Sequence, residues 1–143
     1  MIQRIQSIFL LIASGGFGSL FAFPFASSEK SFGTVFSDSM LNLSDNIGLL
    51  VLAIVGGILS LVAIFLFHNR KLQKMTTWLS VMAGFALAGL SFGIYTKHSE
   101  DLANTISMDL GFGMPVLSIV MGILAIVFIG KDDKLVKSMD RLR

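Results

Sequence analysis

Charged side chains punctuate this sequence in a pattern that leaves four long gaps. No Asp, Glu, Lys or Arg occurs in the 24 residues from Ile5 to Ser28, the 24 from Asn46 to Asn69, the 22 from Met75 to Thr96 or the 21 from Leu110 to Gly130. A helix needs roughly 20 residues to cross a hydrocarbon core of about 30 Å. The pattern therefore predicts four transmembrane helices, over about 5–25, 46–68, 75–96 and 110–130. The second run holds 15 Leu, Ile, Val or Phe residues between Ile47 and Phe67 and is the strongest inserter. The third holds seven, amid glycine, alanine and serine, and relies on neighbouring helices. A secretory signal cleaved near Ala26 is another reading of the first run. That run exceeds the roughly 7–15 residues of a signal's apolar region, and the cut would put Pro24 at the −3 position, so a retained helix is expected.

Charge distribution sets the expected orientation. Arg4, then Arg70, Lys71 and Lys74, then Lys131, Lys134, Lys137, Arg141 and Arg143 would share one side, nine basic residues in all. Only Lys30 and Lys97 would lie opposite, beside Glu29, Asp38, Asp45, Glu100, Asp101 and Asp109. Basic residues gather in cytoplasmic loops, so both termini are predicted inside. Trp78 and Tyr95 fall near opposite ends of the third run, where interfacial aromatics belong.

Val51–Ile64 and Val116–Ile129 match at nine of fourteen positions, at an offset of 65 residues. This fits a helical hairpin used twice in tandem, and it equally fits convergent hydrophobicity. Small residues recur four apart in every run, among them Gly18, Gly57, Gly89, Gly93 and Gly122. In lipid, such residues let helix backbones approach; contact within the chain is the expected use, with a dimer face the alternative. The loop 26–45 suits either a short hairpin or a surface helix. Segment 97–109 reads as partly helical, with Ser99 as N-cap and Leu102 and Ile106 on one face.

Composition supports the membrane reading: 54% of residues are hydrophobic, 14% are charged, and the mean hydropathy is +0.81. Average soluble domains carry roughly 25% charged residues. The chain has no cysteine, which excludes disulfides, thiolate metal sites and dithiol chemistry. No cofactor and no nucleic-acid partner is indicated. With no ionisable carboxylate or cation inside a predicted span, proton-coupled transport lacks its usual groups. His68 and His98 fall at opposite faces, and no base is placed beside any serine. An enzyme is therefore not expected.

The C-terminal KDDKLVKSMDRLR has a pattern of its own. Leu135, Met139 and Leu142 follow helical spacing while Lys134 and Arg141 occupy other faces. Asp132 and Asp133 suit a helix start. This predicts a short amphipathic cytoplasmic helix, poised for the anionic leaflet or for another membrane or cytoplasmic protein.

The opening MIQRIQSIFLL and this tail resemble a domain-of-unknown-function family of small four-helix membrane proteins from the Bacteroidota. Lys131, Asp132, Leu135, Val136, Ser138, Asp140, Arg141, Leu142 and Arg143 fit the family's tail. The resemblance implies a bacterial inner-membrane location and supplies no activity, cofactor or catalytic residue. The predicted fold is an all-α membrane protein, a single four-helix transmembrane bundle with both ends inside. Its expected role is a non-enzymatic accessory or scaffold subunit acting through helix packing and its basic tail, in contact with membrane lipid. The alternative is a small channel or carrier for an uncharged or lipidic solute, lined by Ser60, Ser80, Ser91 and Ser118.

Overall fold

Helix dominates wherever charge is absent. The computed structural model of the protein describes residues 3–28, 39–99 and 106–140. Among these, four α-helices form: α1 (Gln3–Ser19), α2 (Ile47–Phe65), α3 (Arg70–Ser99) and α4 (Gly113–Asp140). α1 and α3 each pack against both α2 and α4, closing a four-membered ring of helices. Consecutive helices run antiparallel. On α1 and α2, Phe17 meets Gly56 while Leu10 clusters with Ala63; on α3 and α4, Val81 meets Gly122 while Arg70 reaches Asp132.

Helix limits follow local chemistry. Asn46 caps α2 by accepting a hydrogen bond from Gly48 N at 2.8 Å, satisfying one orphan donor of the first turn. α1 is shorter than its run: it stops at Ser19, and Phe21 N, Ala22 N and Phe23 N turn back onto Gly18 O and Ser19 O. Pro24, which restricts the residue before it, lies just beyond. The separate tail helix expected after Gly130 is corrected too. α4 continues unbroken to Asp140, and Asp132 lies well inside it rather than at a helix start. A helical glycine costs about 1 kcal/mol, too little to end a helix whose next turn is tied to α3.

Large and small side chains divide between outside and inside. On α2 the buried positions are Leu49, Ala53, Gly56, Ser60 and Ala63, while Val51, Ile54, Val55, Ile58, Leu61 and Val62 are exposed. The centre is filled by one ring. Phe17 of α1 seats its Cζ 2.6 Å from the position a Cβ would take on Gly56 and 3.5 Å from that on Gly84. A Cβ on Gly56 would collide with the ring, whereas beside Gly84 the ring is at ordinary van der Waals distance and the close neighbour is Ile119.

Serines join the helices. Ser80 Oγ donates to Gly56 O at 2.9 Å, so the 2.7 Å contact with Ser60 must be donated by Ser60. Ser118 Oγ lies 3.0 Å from both Ala13 O and Met114 O. Ser91 bonds Ala88 O within α3.

The end opposite the chain's basic clusters carries a three-stranded sheet, of which the apolar pattern suggests only a hairpin. Its strands are β1 (Ala26–Ser28), β2 (Met40–Leu41) and β3 (Ile106–Met108), antiparallel in the order β2-β1-β3. The hairpin reading of loop 26–45 holds for β1 and β2. The helical reading of 97–109 does not: Ser99 ends α3 rather than capping a new helix, and Ile106 is in β3. Leu102 lies outside the described residues. Backbone supply explains the pairing, since β1 offers two edges and each finds a partner. Phe25 N donates to Leu41 O and Asp109 N to Phe25 O, while Gly111 N caps Pro24 O at 3.0 Å.

Candidate functional site

The chain leaves α2 through a single 3-10 turn, Leu66–His68, and Asn69 starts α3 by accepting from Leu72 N at 3.2 Å. That cap brings Arg70, Lys71 and Lys74 into the first five residues of α3. A helix N-terminus carries partial positive charge and favours anions, so three cations there oppose the dipole. One neighbour answers them directly. Asp132 on α4, nearly buried, places Oδ2 3.2 Å from Arg70 Nη2, and its backbone carbonyl accepts from Arg70 Nη1 at 3.3 Å. The carboxylate contact is an ion pair without hydrogen-bond alignment. Among the described residues, Lys71 and Lys74 have no carboxylate partner.

Two cavities flank this pair. The first, about 470 Å³, is lined by Arg70, Lys71, Lys74, Met75, Trp78, Ile129, Gly130 and Asp133. The second, about 650 Å³, runs past Phe67, His68, Asn69 and Val136 and shares Arg70, Lys71 and Asp133 with the first. A Cβ placed on Gly130 would meet nothing within 4 Å, so the α4 backbone forms an open floor. Two glutamines are fully buried, Gln6 on α1 and Gln73 on α3. Gln73 Nε2 donates to Ala63 O at 3.0 Å, and among the described residues the Oε1 of each glutamine has no partner. On α4, Lys131 Nζ sits 5.1 Å over the Phe128 ring, which stacks on Phe9.

The residues singled out from sequence divide unevenly. Gly122 is a true close approach, 2.6 Å from Val81 Cγ2 at the built Cβ, and Gly57 lies beside Phe17 Cβ at 3.5 Å. Among the described residues nothing lies within 4 Å of a Cβ built on Gly18, Gly89 or Gly93, so none of these residues makes the within-chain contact expected there. The close glycines are instead Gly16, against Ser118 and Met114, Gly56, Gly84 and Gly111. On the α4 extension Lys134 and Leu135 are exposed and Met139 falls in the last turn; Arg141 and Leu142 lie outside the described residues. Sequence reading missed the Arg70–Asp132 pair and the groove beside it. The signal was present as Lys71, Lys74 and Trp78 at spacings of three and four, which place them along one side of a helix. Among the described residues no group of three or more His, Cys, Asp or Glu could hold a metal ion.

An antiparallel four-helix bundle, sealed by a small sheet at one end and grooved between cations at the other, is the class these features define. The chain belongs to the DUF4293 family, a domain of unknown function, whose family model matches residues 2–142. No curated protein and no solved structure matches it.

Proposed function

We infer that this protein crosses a bacterial inner membrane four times, with both termini on the cytoplasmic side. We further infer that it serves there as a non-enzymatic accessory or scaffold subunit. The observation that carries the reading is the inverted distribution of size and polarity. Ile47, Phe65, Met82, Phe85, Phe92 and Val116 are more than half exposed, while Ser60, Ser80, Ser91, Thr77 and Ser118 are buried. A soluble protein rarely exposes contiguous apolar patches above a few hundred Å², whereas lipid solvates such a surface and leaves packing and hydrogen bonds to hold the helices. Three helices, over Ile47–His68, Arg70–Lys97 and Leu110–Val136, are long and apolar enough to cross. α1 has 17 residues, about 26 Å at 1.5 Å per residue, and the exposed Phe21 and Phe23 extend its apolar reach.

The scaffold role is supported by α4. Its 28 residues reach about 42 Å, some 12 Å beyond a hydrocarbon core, as one rigid helix tied to α3 by Arg70–Asp132. It presents Lys134 and the half-exposed Leu135 to a partner. The four serines a polar pathway would need are bonded to protein atoms, which favours a scaffold over a channel or carrier. The chain has no cysteine, so single cysteines at Ser44, Ser107, His68 and Ser138 give a clean topology test. In intact spheroplasts an impermeant thiol reagent should label the first two only. Labelling at position 138 would overturn the orientation. A tagged copy purified in mild detergent should retain a partner protein; recovery alone at monomer mass would refute the scaffold role.

A further inference from the structure

We propose that the 470 Å³ groove between the start of α3 and the end of α4 is a binding site for the headgroup of an anionic phospholipid. The inference rests on the membrane reading above and deepens it. Three cations, Arg70, Lys71 and Lys74, line the groove against one carboxylate, Asp133. Arg70 is already engaged by Asp132, which leaves Lys71 and Lys74, both exposed, to meet an incoming anion. The field of the α3 N-terminus adds to theirs, since its backbone also favours negative charge.

Geometry selects a lipid over a free anion. Lys71, Lys74, Met75 and Trp78 share one side of α3, so the groove changes chemistry with depth. Trp78 lies four residues below Lys74 and seven below Lys71, about 6 and 10 Å along the axis. Met75 and Trp78 are exposed and continue the outer apolar surface, while buried Ile129 and open Gly130 form the floor. A phosphodiester at the lysines would set its glycerol and first methylenes against the thioether and indole. A soluble phosphate would use the upper part alone and leave that apolar wall uncovered. Basic pockets between helices on the cytoplasmic side are a known form of headgroup recognition.

Trp78 is the chain's one tryptophan and lines the groove, so its fluorescence reports occupancy directly. The full chain would be reconstituted in phosphatidylcholine vesicles, with chain-brominated phosphatidylglycerol or chain-brominated phosphatidylcholine added at equal mole fraction. Brominated phosphatidylglycerol should quench at a several-fold lower mole fraction, because each basic residue near an anionic surface is worth about a factor of five. Lys71→Gln with Lys74→Gln should abolish that preference while leaving quenching by phosphatidylcholine intact. Lys131→Gln with Lys134→Gln removes the same charge at exposed positions that do not line the groove and should preserve the preference. Equal quenching by both lipids overturns the site and leaves the membrane reading standing. So does equal loss of preference in the two double variants, which would mark diffuse surface attraction. A shift of Trp78 emission by millimolar inorganic phosphate without lipid preference also overturns it, in favour of a free-anion site. Absence of quenching by either lipid overturns the groove and the membrane placement of α3 together.

Discussion

The two ends of this bundle are finished in opposite ways. At the strand end, Phe25, Ala26 and Leu41 are fully buried, and β1 is paired on both edges. Phe112 is ringed edge-on by Phe25, Phe92 and Tyr95, with centroids 6.3, 6.4 and 5.8 Å away. Gly111 is pressed onto the carbonyl of Pro24. At the basic end, one ion pair spans α3 and α4 between two cavities. The contrast matches the proposal that one end closes the fold and the other receives a lipid headgroup.

The sharpest way to break the comparison is at Gly111. A methyl group there would meet backbone atoms of Phe23 and Pro24, which cannot swing aside as a side chain can. Gly111→Ala should cost about 3 kcal/mol or more, at the upper end of overpacking effects, and thermal unfolding in detergent would show it. Asp132→Ala tests the other end. It strands a partly buried guanidinium and should cost about 2 kcal/mol, less than a fully buried pair because both side chains retain some exposure. If it costs more than Gly111→Ala, the basic end is the structural one and the assignment reverses. Between the ends, Ser80→Ala removes the hydroxyl shared by Ser60 and Gly56. Interhelical bonds of this kind average about 0.6 kcal/mol, and the same unfolding measurement should find a loss near that value. The smallest effect is expected at Gly89, where a side chain points into open space: Gly89→Leu should change stability by less than about 0.5 kcal/mol. A large loss there would reveal a second chain packed on that face.

Gly89 and Gly84 also show where legibility in the sequence stops. The four helices could be read because charge brackets every apolar run, and Asn46 and Asn69 cap where polar residues precede those runs. Which glycine faces inward could not, because Gly84/Ala88 and Gly89/Gly93 have the same spacing and the same lack of bulk. Gly84 is the packed one because Ile119 comes to it, 2.9 Å from its built Cβ, and that pairing belongs to another helix. The sheet was hidden for a similar reason. Its strands are two or three residues long and join Ser27 to Ser107 across 80 positions, too short for any alternation to register. At the basic end the cations were visible but counted only toward topology. Their partner Asp132 looked like a helix start because the continuity of α4 depends on α3 beside it.

Phe17 sets a common datum for the whole molecule. Its ring fills a hollow at one height on α2, at Gly56, and meets α3 at van der Waals distance beside Gly84. Sliding α2 by one residue, about 1.5 Å, would take that hollow away from the ring, and rotating α3 would bring Ala83 or Phe85 toward it. Axial position is thereby keyed from the middle of the bundle. The height at which Lys71, Lys74 and Trp78 stand, thirteen, ten and six residues before Gly84 and so about 20, 15 and 9 Å along α3, is measured from an aromatic ring with no polar atom in it. Loosening that key would leave every helix folded and let the depth of the basic end drift.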